Sequence, residues 1–183
     1  RQWDYGQTAV IANVTPERDH QNVAYERFTD TGPMALLPMQ GNHCALVWTV
    51  RSQQAEEILA LSDTEFLARL QQRFGNRLGR FLKVGQRHAY RLELLRARES
   101  IRPRLALIGN AVHTLHPVAG QGFNLALRDV HALAEEIARG VAAGASPGDL
   151  AVLEAYRDRQ AGDQQRTIAA SDLLPGLFMQ ADP

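Results

Sequence analysis

The 183-residue sequence has a single cysteine, Cys44, which rules out an intrachain disulfide and a cysteine-based metal centre and makes a reducing compartment the expectation. It has no net charge, because 20 Lys+Arg balance 20 Asp+Glu. A nucleic-acid binder needs a basic stripe, so nucleic acid is not an expected partner. No apolar run reaches the ~18 residues of a membrane span, and no signal peptide stands at the start. The strained Gly-x-Ser-x-Gly turn of a hydrolase is missing, and Ser62, Ser100 and Ser146 read as caps or loop residues. The chain also lacks an initiator methionine, opening Arg1-Gln2-Trp3, so a piece of a longer protein is expected.

What remains is ordinary globular material: 45% hydrophobic and 22% charged residues, enough to build a core and to exclude disorder as the dominant state. At roughly 100–200 residues per domain, the length suits one domain or parts of two. Residues 7–50 read as β-structure. Gln7 to Val14 is rich in Val, Ile and Thr, Ala24 to Thr29 alternates, and Met34 to Met39 and Cys44 to Val50 flank a hairpin loop at Gln40-Gly41-Asn42. Ser62-Asp63-Thr64-Glu65 fits a capping box. Phe66, Leu67, Leu70 and Phe74 follow on one helical face, and Gly75 ends it. Phe81 to Leu95 is predicted as one long or bent strand.

From residue 104 the pattern changes. Leu105-Ala106-Leu107-Ile108 is a short all-apolar run of the kind buried on both faces of a parallel sheet. A helix is predicted from about Gly122 to Gly140, with Phe123, Leu127, Val130, Ala134 and Ile137 on its apolar face. Ser146-Pro147-Gly148-Asp149 starts a last helix that runs to about Ser171 despite Gly162.

Between that apolar run and the first of these helices lies a long glycine-bearing loop, Gly109 to Asn124. Glycines at a helix start let a ligand approach the backbone, and free N–H groups there favour negative charge. A dinucleotide-phosphate turn fits poorly, since Gly120-Gln121-Gly122 has no third glycine at its proper place. Physical reasoning leaves two readings open here, an anion or cofactor site and an ordinary loop with a helix cap. His113 and His116 are three apart, but no His-Glu-x-x-His helix surrounds them and Pro117 disfavours one, so no metal is expected.

The segment Gly109-Asn110-Ala111-Val112-His113, with Pro117, Gly120-Gln121-Gly122, Asn124 and Asp129, resembles the C-terminal flavin-binding motif of the class A flavoprotein aromatic monooxygenases. Within them it is most similar to the ubiquinone-biosynthesis hydroxylases acting on a polyprenylated methoxyphenol. Arg27 to Met39 and Leu46-Val47-Trp48 look like that family's substrate-domain sheet, and the likeness covers nearly the whole chain.

The resemblance implies an α/β class, with an antiparallel substrate-domain sheet and helices. To these it adds the C-terminal strand-loop-helix part of a Rossmann-like FAD-binding domain. Residues 1–99 would be the substrate-binding domain, with its helix near 63–74. Residues 100–145 would belong to the FAD-binding domain and 146–183 to a C-terminal helical segment. The N-terminal Rossmann unit would precede Arg1, and the family continues beyond Pro183. FAD is the implied cofactor, NAD(P)H the reductant, and hydroxylation of a polyprenyl phenol with O2 the implied reaction.

The implied cofactor-binding residues are Gly109, Asn110, His113, Pro117, Gly120, Gln121, Gly122, Phe123 and Asn124. The helix from Gln121 would aim its positive end at the flavin, and His113 would orient the loop or move a proton. Asn110 stands where the family has Asp, and Gln121 is neutral. No catalytic side chain is assigned, because the cofactor carries the hard chemistry. Phe28, Met34, Leu36, Met39, Leu46 and Trp48 are the apolar candidates for the substrate pocket; alternation lets about half of them face it, and plain core is the alternative for each.

Leu173, Leu174, Leu177, Phe178 and Met179 suit membrane docking, subunit contact in an oligomer, or one side of a helix core. The resemblance further implies a cytoplasmic enzyme, peripheral at the inner membrane and associated with a ubiquinone-biosynthesis complex. Two alternatives stand beside it: a non-catalytic quinone-lipid binding or assembly module, and a flavin hydroxylase of another aromatic compound.

Overall fold

The β-branched and apolar alternation of the first fifty residues produces four strands: β1 (Gln2–Pro16), β2 (Tyr25–Thr29), β3 (Gly32–Met39) and β4 (His43–Arg51). They pair antiparallel, with Val10 opposite Trp48, Met34 opposite Trp48 and Leu36 opposite Leu46. Because opposed residues share a face, these positions form one apolar side of the sheet. The computed structural model describes residues 2–117 and 120–179, with side chains to residue 173. It divides into two compact units, Asp4–Leu92 and Glu93–Leu174, the latter with the residues up to Trp3.

In the first unit the strand order is β2-β3-β4-β1-β6, and β5 (Phe81–Val84) pairs with the end of β1. Two helices, α1 (Ser52–Ala60) and α2 (Asp63–Phe74), cover one sheet face. The α2 boundaries are those of the capping box. The Ser62 hydroxyl accepts from the Glu65 N–H at 3.3 Å, and the Glu65 carboxylate accepts from the Ser62 N–H at 2.9 Å. The core joins Val10, Val14, Met34, Leu36, Leu46 and Trp48 to Ile58, Phe66, Leu70, Phe74 and Phe81. Trp48 meets Phe66 edge-on at 5.7 Å, a geometry that matches ring edge to ring face.

At the Gln40-Gly41-Asn42 loop, buried His20 donates from Nε2 to the carbonyls of Gly41 (2.9 Å) and Met39 (3.1 Å), while its Nδ1 accepts from the Asn22 N–H. α1 has no counterpart in the sequence reading: its N-cap, Arg51, makes no side-chain cap bond, so the usual start signal is missing.

The predicted single strand over 81–95 is two strands, β5 and β6 (His88–Arg96). The Gly85 N–H bonds the Asn13 carbonyl, and Arg87 then leaves the ladder for the Leu61 carbonyl, the Asp63 carboxylate and the face of Phe66. Those contacts hold the break.

In the second unit β7 (Ile101–Arg102) and β8 (Leu105–Ala106) form a short antiparallel hairpin, and the end of β6 pairs with β9 (His113–Thr114). The run at Leu105 is therefore not the buried parallel strand its composition suggested. Only one short antiparallel neighbour pairs with it among the described residues, and Leu105 stays half exposed. Two helices complete the unit, α3 (Gln121–Ala142) and α4 (Leu150–Met179). The Asp149 carbonyl accepts the Val152 and Leu153 N–H groups of α4, and its carboxylate accepts from the Ser146 N–H.

The face of α3 that packs is not the predicted apolar one. Leu125, Asp129, Ala132 and Glu136 are buried, whereas Phe123, Leu127, Val130 and Ala134 are exposed and Ile137 is half-buried. Ion pairs and hydrogen bonds to α4 choose this face: Arg128 binds Asp163, and Glu136 binds Arg159. Gly140 makes the close approach possible, since a Cβ there would lie 2.6 Å from a Val152 methyl. Of the terminal apolar group, Leu173 is exposed, and the side chains of Leu174, Leu177, Phe178 and Met179 lie outside the described residues. No helix among the described residues is long and apolar enough to cross a membrane.

Candidate functional site: a glycine loop held by a buried histidine–aspartate pair

The loop begins in a single 3-10 turn, Gly109–Ala111, closed by the Val112 N–H on the Gly109 carbonyl at 3.0 Å. Gly109 has φ +59° and sits against α3, 3.5 Å from the Ala126 Cβ to where its own Cβ would be. Asn110 follows on the surface. His113 then turns inward on β9 opposite Arg96, while Pro117 is exposed and its carbonyl accepts the Gly120 N–H at 3.2 Å.

Gly120 is the N-cap of α3 in the left-handed conformation, φ +61° and ψ +23°. A side chain there would be strained, so glycine sets the sharp entry into the helix. Gly120 itself brings no side chain to cap α3, and no acidic residue lies in the first turn. Cβ atoms added at Gly120 or Gly122 would meet nothing within 4 Å. Gln121 and Gly122 are half-buried, and Phe123 and Asn124 are exposed. The loop thus presents open backbone and the positive end of a 22-residue helix on one surface.

Beneath this surface His113 and Asp129 are both buried, and their side chains meet at 2.8 Å between Nε2 and Oδ2. The other oxygen of Asp129 accepts from Gln160 at 2.9 Å and Gln164 at 3.0 Å, both on α4. Burial pushes the Asp129 carboxyl up, but the hydrogen bonds from His113, Gln164 and Gln160 outweigh it and hold the group below its usual range. An ionised carboxylate only accepts, so Nε2 of His113 carries the donated proton. Nearby, burial and the Asp129 charge push the Tyr156 phenol up. Burial drives His116 down to about 4, against an opposing pull from Asp172. His116 is therefore neutral near pH 7.

Helix periodicity places Asp129 directly over the turn of Leu125 and puts Gln160 and Gln164 on one face of α4. Spacing made Asp129 readable as the last residue of the motif, but nothing in the sequence pointed to the two glutamines. They are 31 and 35 residues away and belong to no local pattern.

A flavin fits the residues present. The open glycine backbone admits a planar group, and Asn110 offers an amide beside it. The first turn of α3 suits a site of negative charge, which a helix N-terminus stabilises by about 0.3–2 kcal/mol. Nδ1 of His113 is buried and has no hydrogen-bond partner among the described residues, a polar atom still able to bond a bound group or water. Residues Gly109, Asn110, Gly120, Gln121, Gly122, Phe123 and Asn124 would hold the group, with His113 setting the loop from below.

The candidates for the substrate pocket divide by sheet face. Met34, Leu36, Leu46 and Trp48 are buried against α1 and α2, whereas Phe28 and Met39 lie on the opposite face with Leu37. Trp48 also borders a cleft of about 220 Å³ with Thr31, Gln54 and Arg69.

Three comparisons bear on the site. Ubiquinone hydroxylase UbiL of Rhodospirillum rubrum is 45% identical over 174 residues, spanning 95% of this chain and 41% of that protein. The 3-demethoxyubiquinol 3-hydroxylase of Escherichia coli is 32% identical over 176 residues, 96% of this chain and 45% of that protein. The chain thus spans less than half the length of these curated relatives. The crystal structure of pqsL, a probable FAD-dependent monooxygenase from Pseudomonas aeruginosa, superposes with a TM-score of 0.78 at 18% identity, covering 98% of this chain and 50% of that one. That likeness establishes the fold, a mixed α/β arrangement of antiparallel sheet and helices. The model of the FAD binding domain family matches residues 2–169, nearly the whole chain, and with the glycine loop and its buried anchor in place the chain belongs to that family.

Proposed function

We propose that this chain is part of an FAD-dependent monooxygenase that hydroxylates a polyprenylated phenol in ubiquinone biosynthesis, using NAD(P)H and O2. The observation that carries the reading is the glycine backbone at Gly120 and Gly122, open to a ligand, on a helix pinned by His113 on Asp129. Relatives named as ubiquinone hydroxylases over nearly all of this chain support it. FAD, when bound, supplies the electron transfer from the reductant and the activation of oxygen. The residues of this chain bind and orient it: Asn110 hydrogen-bonds its polar chain, and the first turn of α3 faces its electron-rich edge. The Asp129–His113 pair keeps that turn in place. The sheet face bearing Phe28, Leu37 and Met39, each about 40% exposed, is the wall for the isoprenoid tail. Met34, Leu36, Leu46 and Trp48 serve the core instead.

The narrowest form of the reading makes 2-octaprenyl-6-methoxyphenol the substrate. Deleting the gene and profiling quinone intermediates by mass spectrometry tests it. Accumulation of that phenol, reversed by the wild-type gene, is expected. Normal ubiquinone levels would reject the pathway, and accumulation of a different phenol would move the substrate. The chain contains no Gly-x-Gly-x-x-Gly turn for a pyrophosphate, so by itself it is expected to retain FAD weakly. Purification of this chain with stoichiometric yellow flavin would overturn that part.

A further inference from the structure

The buried stripe of α4 runs through Leu153, Tyr156, Gln160 and Ile168 at helical spacing, with half-buried Gln164 between the last two. Amides in such a stripe are costly unless they are paired, because their N–H groups leave water. Both glutamines answer to one atom. Gln160 donates to Oδ1 of Asp129 at 2.9 Å, and Gln164 donates to the same oxygen at 3.0 Å. The other oxygen, Oδ2, takes Nε2 of His113 at 2.8 Å.

These amides are not needed to join α4 to α3. Other pairs do that: Arg128 donates to Asp163 at 2.6 Å and to Thr167 at 3.1 Å, and Arg159 donates to Glu136 at 3.1 Å. Val152 also packs against Gly140. What the glutamines add is direction. A carboxylate held at one oxygen can still turn about its Cβ–Cγ bond, whereas donors on both oxygens fix its plane. The His113 ring is fixed with it, and so is its buried Nδ1, which has no hydrogen-bond partner among the described residues. His113 stands on β9, just after the Gly109–Ala111 turn, while Asp129 stands on the helix whose N-terminus carries Gly120 and Gly122. The two glycine stretches are thus set against each other through Asp129.

We propose that Gln160 and Gln164 are positioning residues for the flavin: by fixing the Asp129 carboxylate they set His113, and with it the placing of Gly109 against Gly120 and Gly122 around the cofactor. The proposal rests on the flavin reading of that loop. It puts a control of the site on α4, in residues that belong to no part of the loop.

The test compares the full-length holoenzyme with its Gln160→Met/Gln164→Met variant. Methionine has nearly the length and helix propensity of glutamine and lacks the amide. With FAD saturating, the midpoint potential of the bound flavin is expected to shift, because the helix end moves relative to the ring. The FAD dissociation constant should rise about tenfold. Nitrogen-15 NMR of the histidine rings should show the His113 Nε2 resonance moving, with or without FAD. Gln165 is exposed on the same helix, so Gln165→Met should match wild type in all three measurements. If the double variant retains no flavin, the single variants, each keeping one donor on Oδ1, are read instead.

A merely structural role would lower the thermal midpoint and leave the potential of the bound flavin at its wild-type value. Action through His113 is tested by a double-mutant cycle: the two substitutions should shift the potential in the native background and not in a His113→Ala background. An equal shift in both backgrounds overturns the proposal. So does an unchanged potential, even where the His113 resonance moves, and that result leaves the flavin reading intact. A full-length wild-type enzyme that binds no FAD overturns the flavin reading, and the proposal with it.

Discussion

The two units of the chain are held together by different chemistry. In Asp4–Leu92 the core is apolar and aromatic, with Trp48, Phe66, Phe74 and Phe81 packed between a sheet face and two helices. In Glu93–Leu174 the buried set includes His113, His116, Asp129, Glu136, Gln160 and Ser171, while Phe123, Leu127, Val130 and Val141 lie exposed. The first unit is stabilised by area removed from water, which tolerates small shifts. The second depends on hydrogen bonds to buried charge, which are directional and costly to leave half made. A loop that must hold a cofactor at fixed geometry gains from the second kind of anchor.

The strongest way to break this contrast is to remove its central anion. Asp129→Ala leaves the donors of His113, Gln160 and Gln164 without their shared acceptor. Leaving a buried polar group without its partner costs about 1–3 kcal/mol for each group. Urea denaturation should show that loss, and hydrogen exchange should show the amides of 113–129 losing protection first. A loss below about 1 kcal/mol would mean that the pair does not anchor the loop.

The matching cut in the apolar unit is Leu70→Ala, at a fully buried position of α2. The lost transfer energy and the cavity together cost about 2–5 kcal/mol. Protection is expected to fall across α1, α2 and β1–β4 and to persist at 113–129. Equal loss in both regions would show one cooperative body and erase the distinction between the units.

Acid should act on the second unit more than the first. His116 titrates at about 4 in the folded chain against 6.5 for the free side chain, so between those values the unfolded state binds the extra proton. Stability contributed by neutral His116 is therefore complete above pH 6.5 and is lost as pH falls toward 4, by at most about 3 kcal/mol. Asp129 has a lowered folded value, so its contribution is present above its ordinary 3.8 and disappears only as pH falls further. Thermal midpoints measured from pH 7 to 3 should fall in two stages. His116→Asn should flatten the upper stage and leave the lower one.

Legibility in the sequence tracked the same contrast. The strands of the first unit and the bounds of α2 were readable because alternation and the Ser62–Glu65 box are local and act within a few residues. α1 escaped because Arg51 makes no cap bond, and the 81–95 break escaped because Arg87 answers to Leu61 and Asp63 over twenty residues away. The glycine loop and Asp129 were legible as a spaced motif. The glutamines that complete the Asp129 site come from α4 and are fixed only by tertiary packing.

The clearest failure of periodicity, the apolar stripe of α3, supplies the test with the smallest expected effect. A hydrophobic face is usually the packed face because burial of apolar area dominates the energy. Here the opposite face packs, since Arg128, Asp129 and Glu136 find partners on α4 and Gly140 lets Val152 close in. Leu127 and Val130 are 52% and 47% exposed, so replacing both with Gln removes little buried area from this chain. Gln is nearly as good a helix former as Leu and better than Val. The Leu127→Gln/Val130→Gln chain should therefore unfold within about 0.5 kcal/mol of wild type. A loss above about 1 kcal/mol would place the stripe in contact with other residues and make α3 apolar-packed like α2.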